Sequence, residues 1–259
     1  MYNFKNLEIS TSNKNIPSYA MLIDGKTIEE LIPEFTTLSV YGRENIDVNV
    51  DFYNIPGLIG SRIKEKNIKH RIITINYSIV AKTNEEFRKV YNKLNYLLYK
   101  EFKDKRYVNF KDDPEYFYEV QLFKVEPISA NTNTVECSFS LVSETPYKFS
   151  EVKEAEKIEN LEYPLYPIFI ESIETKAAQG QLFKLSNIST GKNIILLNDF
   201  EGGETVEIIS DDIKINKLSS LDKLDFVKSD YKEFKIYSGN EITVNSNEKI
   251  KIRYREVLL

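Results

Sequence analysis

Only one segment of this 259-residue chain repeats with the period of a helix, and that scarcity constrains the fold more than any other feature. Between Thr83 and about Phe102, the residues Phe87, Val90, Tyr91, Leu94, Leu97, Leu98 and Phe102 recur at three- and four-residue spacing and lay one apolar stripe along a helix. Thr83-Asn84-Glu85-Glu86 marks its start, the Thr hydroxyl accepting from an early orphan N–H and Glu86 reaching back to the cap. Everything else that is apolar must find its core by alternation.

Strands are read over Leu38 through Phe52, Arg71–Ile79 and Tyr107–Phe110, and in the middle one Ile73, Ile75, Tyr77 and Ile79 share a face. Lys111-Asp112-Asp113-Pro114 supplies turn chemistry, and Tyr116–Val125 resumes as the second strand of a hairpin. Val135, Cys137, Phe139 and Leu141 point inward from one more strand. From Ser143 to about Tyr166 the period fails among charge, Pro146, Pro164 and Pro167, which predicts a linker and divides the chain into domains at 1–150 and 151–259. Past Ile168 come short runs at Leu182–Leu185, Asn193–Leu197, Thr205–Ile209, Asp212–Asn216, Glu233–Tyr237, Glu241–Val244 and Lys249–Arg255. Turns at Thr190-Gly191, Gly202-Gly203, Ser238-Gly239-Asn240 and Asn245-Ser246-Asn247 punctuate them, so a β-sandwich is expected. The fold class is mostly β: an α+β N-terminal domain with one long helix, then a C-terminal sandwich.

Apolar residues at 41% and charged residues at 29% are ordinary for a folded protein. The net charge of −5 is interleaved along the chain, and no basic stripe marks a phosphate-tracking surface. No run of about 18 apolar residues occurs, and Met1–Asn6 opens no apolar leader, so the chain is expected to be made and kept in the cytosol, with no membrane partner. A single cysteine leaves stability to packing.

The search for chemistry returns bland readings. His70, the only histidine, sits among Lys66, Lys69 and Arg71 as a solvated residue before a strand, and Cys137 reads as a small core group. One His and one Cys cannot build an imidazole–thiolate metal site. Asp112-Asp113 and Asp211-Asp212 sit at turns, where Asp bonds local backbone, and no calcium-loop spacing accompanies them. Gly202-Gly203 has no phosphate-loop pattern and reads as a hairpin turn. The sequence therefore predicts no catalytic, cofactor or metal residues, and no enzyme. There are 17 Tyr and 15 Phe but no Trp, which weakens a lectin reading.

Taken in order, several segments resemble the distal tail protein (Dit) family of siphophages that infect Gram-positive bacteria. They are Leu22-Ile23-Asp24-Gly25-Lys26, Leu38-Ser39-Val40-Tyr41-Gly42-Arg43 and Ile55-Pro56-Gly57 before the Arg71–Ile79 strand, then the helix. Val108-Asn109-Phe110-Lys111-Asp112-Asp113-Pro114-Glu115-Tyr116-Phe117-Tyr118 and Ser143-Glu144-Thr145-Pro146-Tyr147 follow, then Leu185–Gly191 and Ser238–Ile242, and an Arg/Tyr-rich last strand closes the series. The resemblance implies a homohexameric ring at the virion tail tip, synthesised in the host cytoplasm, with a tube-like N-terminal domain and a galectin-like C-terminal sandwich. Such a ring joins the tail tube protein and tape measure to a tail-associated lysin or receptor-binding protein, and phage DNA passes through it without specific binding. The alternative is a C-terminal module for host cell-wall saccharide, for which Tyr231, Phe234 and Tyr237 are the nearest aromatic cluster.

Overall fold

The computed structural model describes residues 16–46, 48–128, 133–164 and 166–259; Met1–Asn6 lies outside them. The described residues up to Lys148, with Leu259, form one compact unit, and Phe149–Leu258 form a second.

The first unit contains β1 (Met21–Ile23), β2 (Lys26–Thr27), α1 (Ile28–Leu31), β3 (Phe35–Tyr41), β4 (Val48–Asn54), β5 (Ser61–Ile68) and β6 (Arg71–Val80). It continues through α2 (Asn84–Glu101), β7 (Arg106–Phe110), β8 (Asp113–Val125) and β9 (Thr134–Ser143). Its main sheet runs β2-β1-β7-β8-β9-β6-β3. Next to its β3 edge, β6 pairs with β9 without a break from Arg71 opposite Ser143 to Val80 opposite Thr134. Alternation on β6 therefore buries Ile73, Ile75, Tyr77 and Ile79, and they share one core with Phe87, Val90, Leu94 and Leu98 of α2. Phe35 stacks on Tyr77 with ring centroids 5.0 Å apart, and burial pushes the Tyr77 phenol up.

Both helix starts are capped by side chains. The Thr83 hydroxyl accepts from Glu86 N at 3.1 Å, while the Glu86 carboxylate reaches one residue past the cap, to Lys82 N at 2.6 Å. In α1, Thr27 and Glu30 exchange both bonds of a capping box. The neighbouring Glu29 is buried, and its Oε1 accepts from Thr37 N at 2.9 Å, so a carboxylate occupies part of the edge of β3 that no described strand covers.

The second unit contains β11 (Lys153–Ala155), β12 (Phe169–Lys176), β13 (Gly180–Asn187), β14 (Lys192–Phe200), β15 (Thr205–Ile208), β16 (Ile213–Ile215) and β17 (Leu218–Ser219). β18 (Ile242–Val244) and β19 (Lys251–Arg255) follow, and β10 (Lys148–Ser150) pairs with β20 (Val257–Leu258). One sheet has the order β11-β19-β12-β15-β16-β17 and the other β14-β13-β18. Ile173, Val206, Ile213 and Ile252 of the first meet Phe183, Leu185, Ile194 and Leu196 of the second in a single core, the arrangement of a sandwich.

Several expectations change. The strand read from Leu38 through Phe52 is two strands, because the chain breaks at Gly42, whose φ is +87°. The segment read as a linker contains β11, which pairs with β19, and it buries Ile158. Ala155, Ile158 and Leu161, three residues apart, pack into or against the second core despite the charge around them. Glu233–Tyr237 is not a strand: Tyr231–Glu233 forms a 3-10 turn and the chain beyond it is irregular. Gly202-Gly203 does not close a hairpin, since β14 and β15 on either side belong to different sheets. Its positive φ values of +101° and +90° serve a crossing between sheets.

Candidate assembly surface

None of the chemistry-bearing residues converge. His70 is exposed between β5 and β6. Cys137 is half-buried beside the first core, and its Sγ donates to Glu126 O at 3.2 Å. The Asp212 carboxylate is spent on Ile213 N and Ser219 Oγ, both at 2.8 Å. Of the aromatic cluster, Phe234 is buried in the second core and the Tyr231 hydroxyl is tied to Ile209 O at 2.8 Å, which leaves Tyr237 exposed without a companion from this set. Among the described residues no group of three His, Cys, Asp or Glu side chains is placed to hold a metal, and no helix is long and apolar enough to cross a membrane.

The outstanding surface feature is one the sequence reading divided wrongly. Among the described residues β4 and β5 pair only with each other, and none of their side chains joins a core. Their turn is Ile55-Pro56-Gly57-Leu58, closed by Leu58 N donating to Ile55 O at 3.1 Å with Gly57 at φ +85°, which is type II geometry. Cross-strand partners share a face, so Val48–Ile68, Val50–Lys66 and Phe52–Ile63 lie on one side, and Asn49–Asn67, Asp51–Glu65 and Tyr53–Arg62 on the other. A bulge at Lys64 keeps Ile63 on the side of Phe52. The hairpin is thus amphipathic with an uncovered apolar side: Phe52 is 62% exposed, Ile63 59%, and Ile59 at the tip fully so. The missed signal was Val48, Val50 and Phe52 alternating into Pro56-Gly57, with Ile63 and Ile68 diluted among the charges of β5.

The hairpin's root is as ordered as its blade is uncovered. The chain leaves the sheet at Gly42-Arg43 and returns at Arg71. Buried Arg71 donates to Gly42 O at 2.7 Å and Arg43 O at 2.6 Å through Nη1, and to Pro146 O at 3.0 Å through Nε. Arg43 forms a two-pronged ion pair with Asp112 (2.7 and 3.1 Å) and lies 4.1 Å above the Phe110 ring. Burial opposes the Arg43 charge, but the bond and charge of Asp112 prevail and hold its pKa above the ordinary value; Arg71 has no carboxylate in contact and burial lowers its own. Asp113 pairs with Lys148 at 2.6 Å, and that ammonium sits 4.8 Å over Tyr116. The Asp112-Asp113 pair thus does more than turn chemistry. Its two carboxylates go to two different cations.

The second unit has a counterpart. Asn187 is fully buried; its amide donates to Lys235 O and Asn240 Oδ1 (3.0 and 2.9 Å) and accepts from Thr190 N at 3.2 Å. Ile188 N donates to Glu241 O and Glu241 N to Ser189 Oγ, so Leu185–Gly191 and Ser238–Ile242 are stitched together.

No curated protein matches this sequence. The family profile of the phage tail protein RIFT-related domain matches residues 23–141, and that of the siphovirus-type tail component, C-terminal domain, matches residues 162–257. Among solved structures, the Dit protein (gp 19.1) of phage SPP1, described as a paradigm of the hub adsorption apparatus in phages infecting Gram-positive bacteria, superposes with a TM-score of 0.73. The identity is 13%, over 93% of this chain and 99% of that one. Chains from the activated baseplate of phage p2, with calcium and with strontium, give TM-scores of 0.47 and 0.43 at 10% identity, covering 86% of this chain and 90% of each. With both compact units matched to tail-protein families and the fold shared almost end to end with SPP1 Dit, this chain belongs to the siphophage distal tail protein (Dit) family.

Proposed function

We propose that the chain assembles into a homohexameric ring at the tip of a siphophage tail, in a phage of a Gram-positive host. The ring joins the tail tube protein and tape measure to the tail-associated lysin or receptor-binding protein, performs no catalysis and leaves a hole for phage DNA. The domains divide the work: 1–150 closes the ring and 151–259, a galectin-like sandwich, is displayed.

The observation that supports this reading is the β4–β5 hairpin. Exposed apolar side chains gathered on one side of a strand pair need a partner surface, and a head-to-tail contact repeated between identical subunits closes a ring. Covering Phe52 alone removes roughly 100 Å² from water, worth about 2–3 kcal/mol per contact. Six contacts make the closed ring far more stable than any open fragment. Six is the number the family resemblance implies.

Light scattering on the purified chain tests the assembly, and negative-stain images test its shape. A six-fold ring with a central hole is expected, and Phe52→Ser combined with Ile63→Ser should return it to monomer. A wild-type monomer at high micromolar concentration overturns the proposal.

A further inference from the structure

We infer that Arg71 is a positioning residue for assembly, whose guanidinium fixes the direction in which the hairpin presents its apolar face. This rests on the reading that the hairpin carries the subunit contact. Three observations combine. First, among the described residues the hairpin is attached only at its root, since β4 and β5 pair with no other described strand. Second, Arg71 is the first residue of β6 on the returning chain, and it grips the carbonyls of Gly42 and Arg43 on the departing chain at 2.7 and 2.6 Å. Both ends of the excursion are therefore held by one side chain. Third, the same guanidinium reaches Pro146 O at 3.0 Å, so the clamp is referenced to the segment that follows β9.

The lever explains why so small a contact matters. A hairpin of this length projects roughly 20–25 Å, so a 10° swing at its root carries the tip about 4 Å, more than a packed apolar contact tolerates. Arginine suits the position because its planar fork directs several N–H groups at fixed angles; a lysine ammonium on a flexible stem keeps the charge but not the angles. Gly42 fits the same purpose. A Cβ there would lie 2.0 Å from Ile72 O, so the chain passes β6 at the closest possible approach.

The test separates direction from folding. Spin labels at Ile59→Cys and Lys89→Cys, in a Cys137→Ala background, report the distance from hairpin tip to α2 in dilute, unassembled protein. The unsubstituted root should give a narrow distribution and Arg71→Lys a broad one, with the melting of the first unit still cooperative. In parallel, Arg71→Lys should need at least tenfold more protein to assemble. Insertion of two glycines between Asn45 and Ile46 leaves the clamp intact but disconnects the blade, and should weaken assembly equally; it decides the matter where Arg71→Lys fails to fold. Unchanged distances together with a wild-type assembly midpoint, in whichever of the two variants folds, overturn the inference. A wild-type chain that never assembles overturns the ring reading instead, and the distance measurement on the monomer still decides whether Arg71 sets the hairpin's direction.

Discussion

Removing Asp112 should damage the first unit more than removing the arginine it pairs with. The Arg43 side chain is 4% exposed and that of Asp112 22%. Asp112→Ala strands a guanidinium that water reaches poorly, and an uncompensated buried charge costs about 3–5 kcal/mol. The partial exposure of the site and the Phe110 ring beneath the guanidinium place the value at the lower end, about 3 kcal/mol, or a fall in Tm of roughly 10 °C for a unit of this size. Arg43→Met instead leaves a carboxylate that already touches solvent and fills the space over Phe110 with an apolar stem, at about 1–2 kcal/mol. The double variant should resemble Arg43→Met alone, giving a coupling of about 3 kcal/mol in the cycle, the whole cost of Asp112→Ala. The chain has no Trp, so near-ultraviolet dichroism of its tyrosines or calorimetry is the suitable probe. Additive losses, or an Asp112→Ala cost below about 1 kcal/mol, refute the claim that a buried ion pair organises this corner.

Gly42→Ala should leave little folded protein in expression trials, because the added methyl meets the backbone oxygen of Ile72 and the residue must also hold φ +87°. Asn187→Ala removes a fully buried amide that serves three partners, and thermal melting should show the second unit weakened by about 2–3 kcal/mol. Leu94→Ala opens a cavity under α2, and chemical denaturation should report a loss of about 3 kcal/mol with an unchanged slope. In the second unit, backbone N–H groups of Glu201 and Gly202 hold the Glu204 carboxyl below its ordinary range, and the Lys192 ammonium with Asn193 N does the same for Asp230. Their contribution is present at neutral pH, above the unfolded carboxylate values, and is lost as pH falls through the lower folded ones; carboxyl carbon NMR titration should show both midpoints displaced downward.

The elements legible in the sequence are those whose residues answer to a core inside the same chain. The stripe from Phe87 to Phe102 and the alternation of Ile73 to Ile79 report one shared interior, so each period marks a real face. The ordered segments behind the family resemblance carry a different signal. Gly42-Arg43 reads as strand interior, Asp112-Asp113 as a turn and Thr145-Pro146 as the start of a linker, yet Gly42 O, Asp112 and Pro146 O meet at Arg43 and Arg71; Leu185–Gly191 and Ser238–Ile242 meet at Asn187 and Asn240. Turn residues that also satisfy a distant buried donor are doubly constrained, and their order along the chain is therefore informative.

The hairpin escaped because none of its side chains joins a core among the described residues. Ile63 and Ile68 are five residues apart with Lys64, Glu65 and Lys66 between them, out of period two, and only the bulge at Lys64 puts them on one side. Periodicity identifies which side of an element is apolar, but a core within the chain has to exist before that side can be called inward. In the proposed ring the partner of this arm is another copy, and an arm of that kind has an apolar side left uncovered in the monomer and a sequence that resembles a charged loop. The converse is useful. Where an alternating stretch fails to find a core while its root is held by a buried arginine, as with Arg71 below β4 and β5, the stretch is the first place to test for a partner surface, the role the proposed ring gives it.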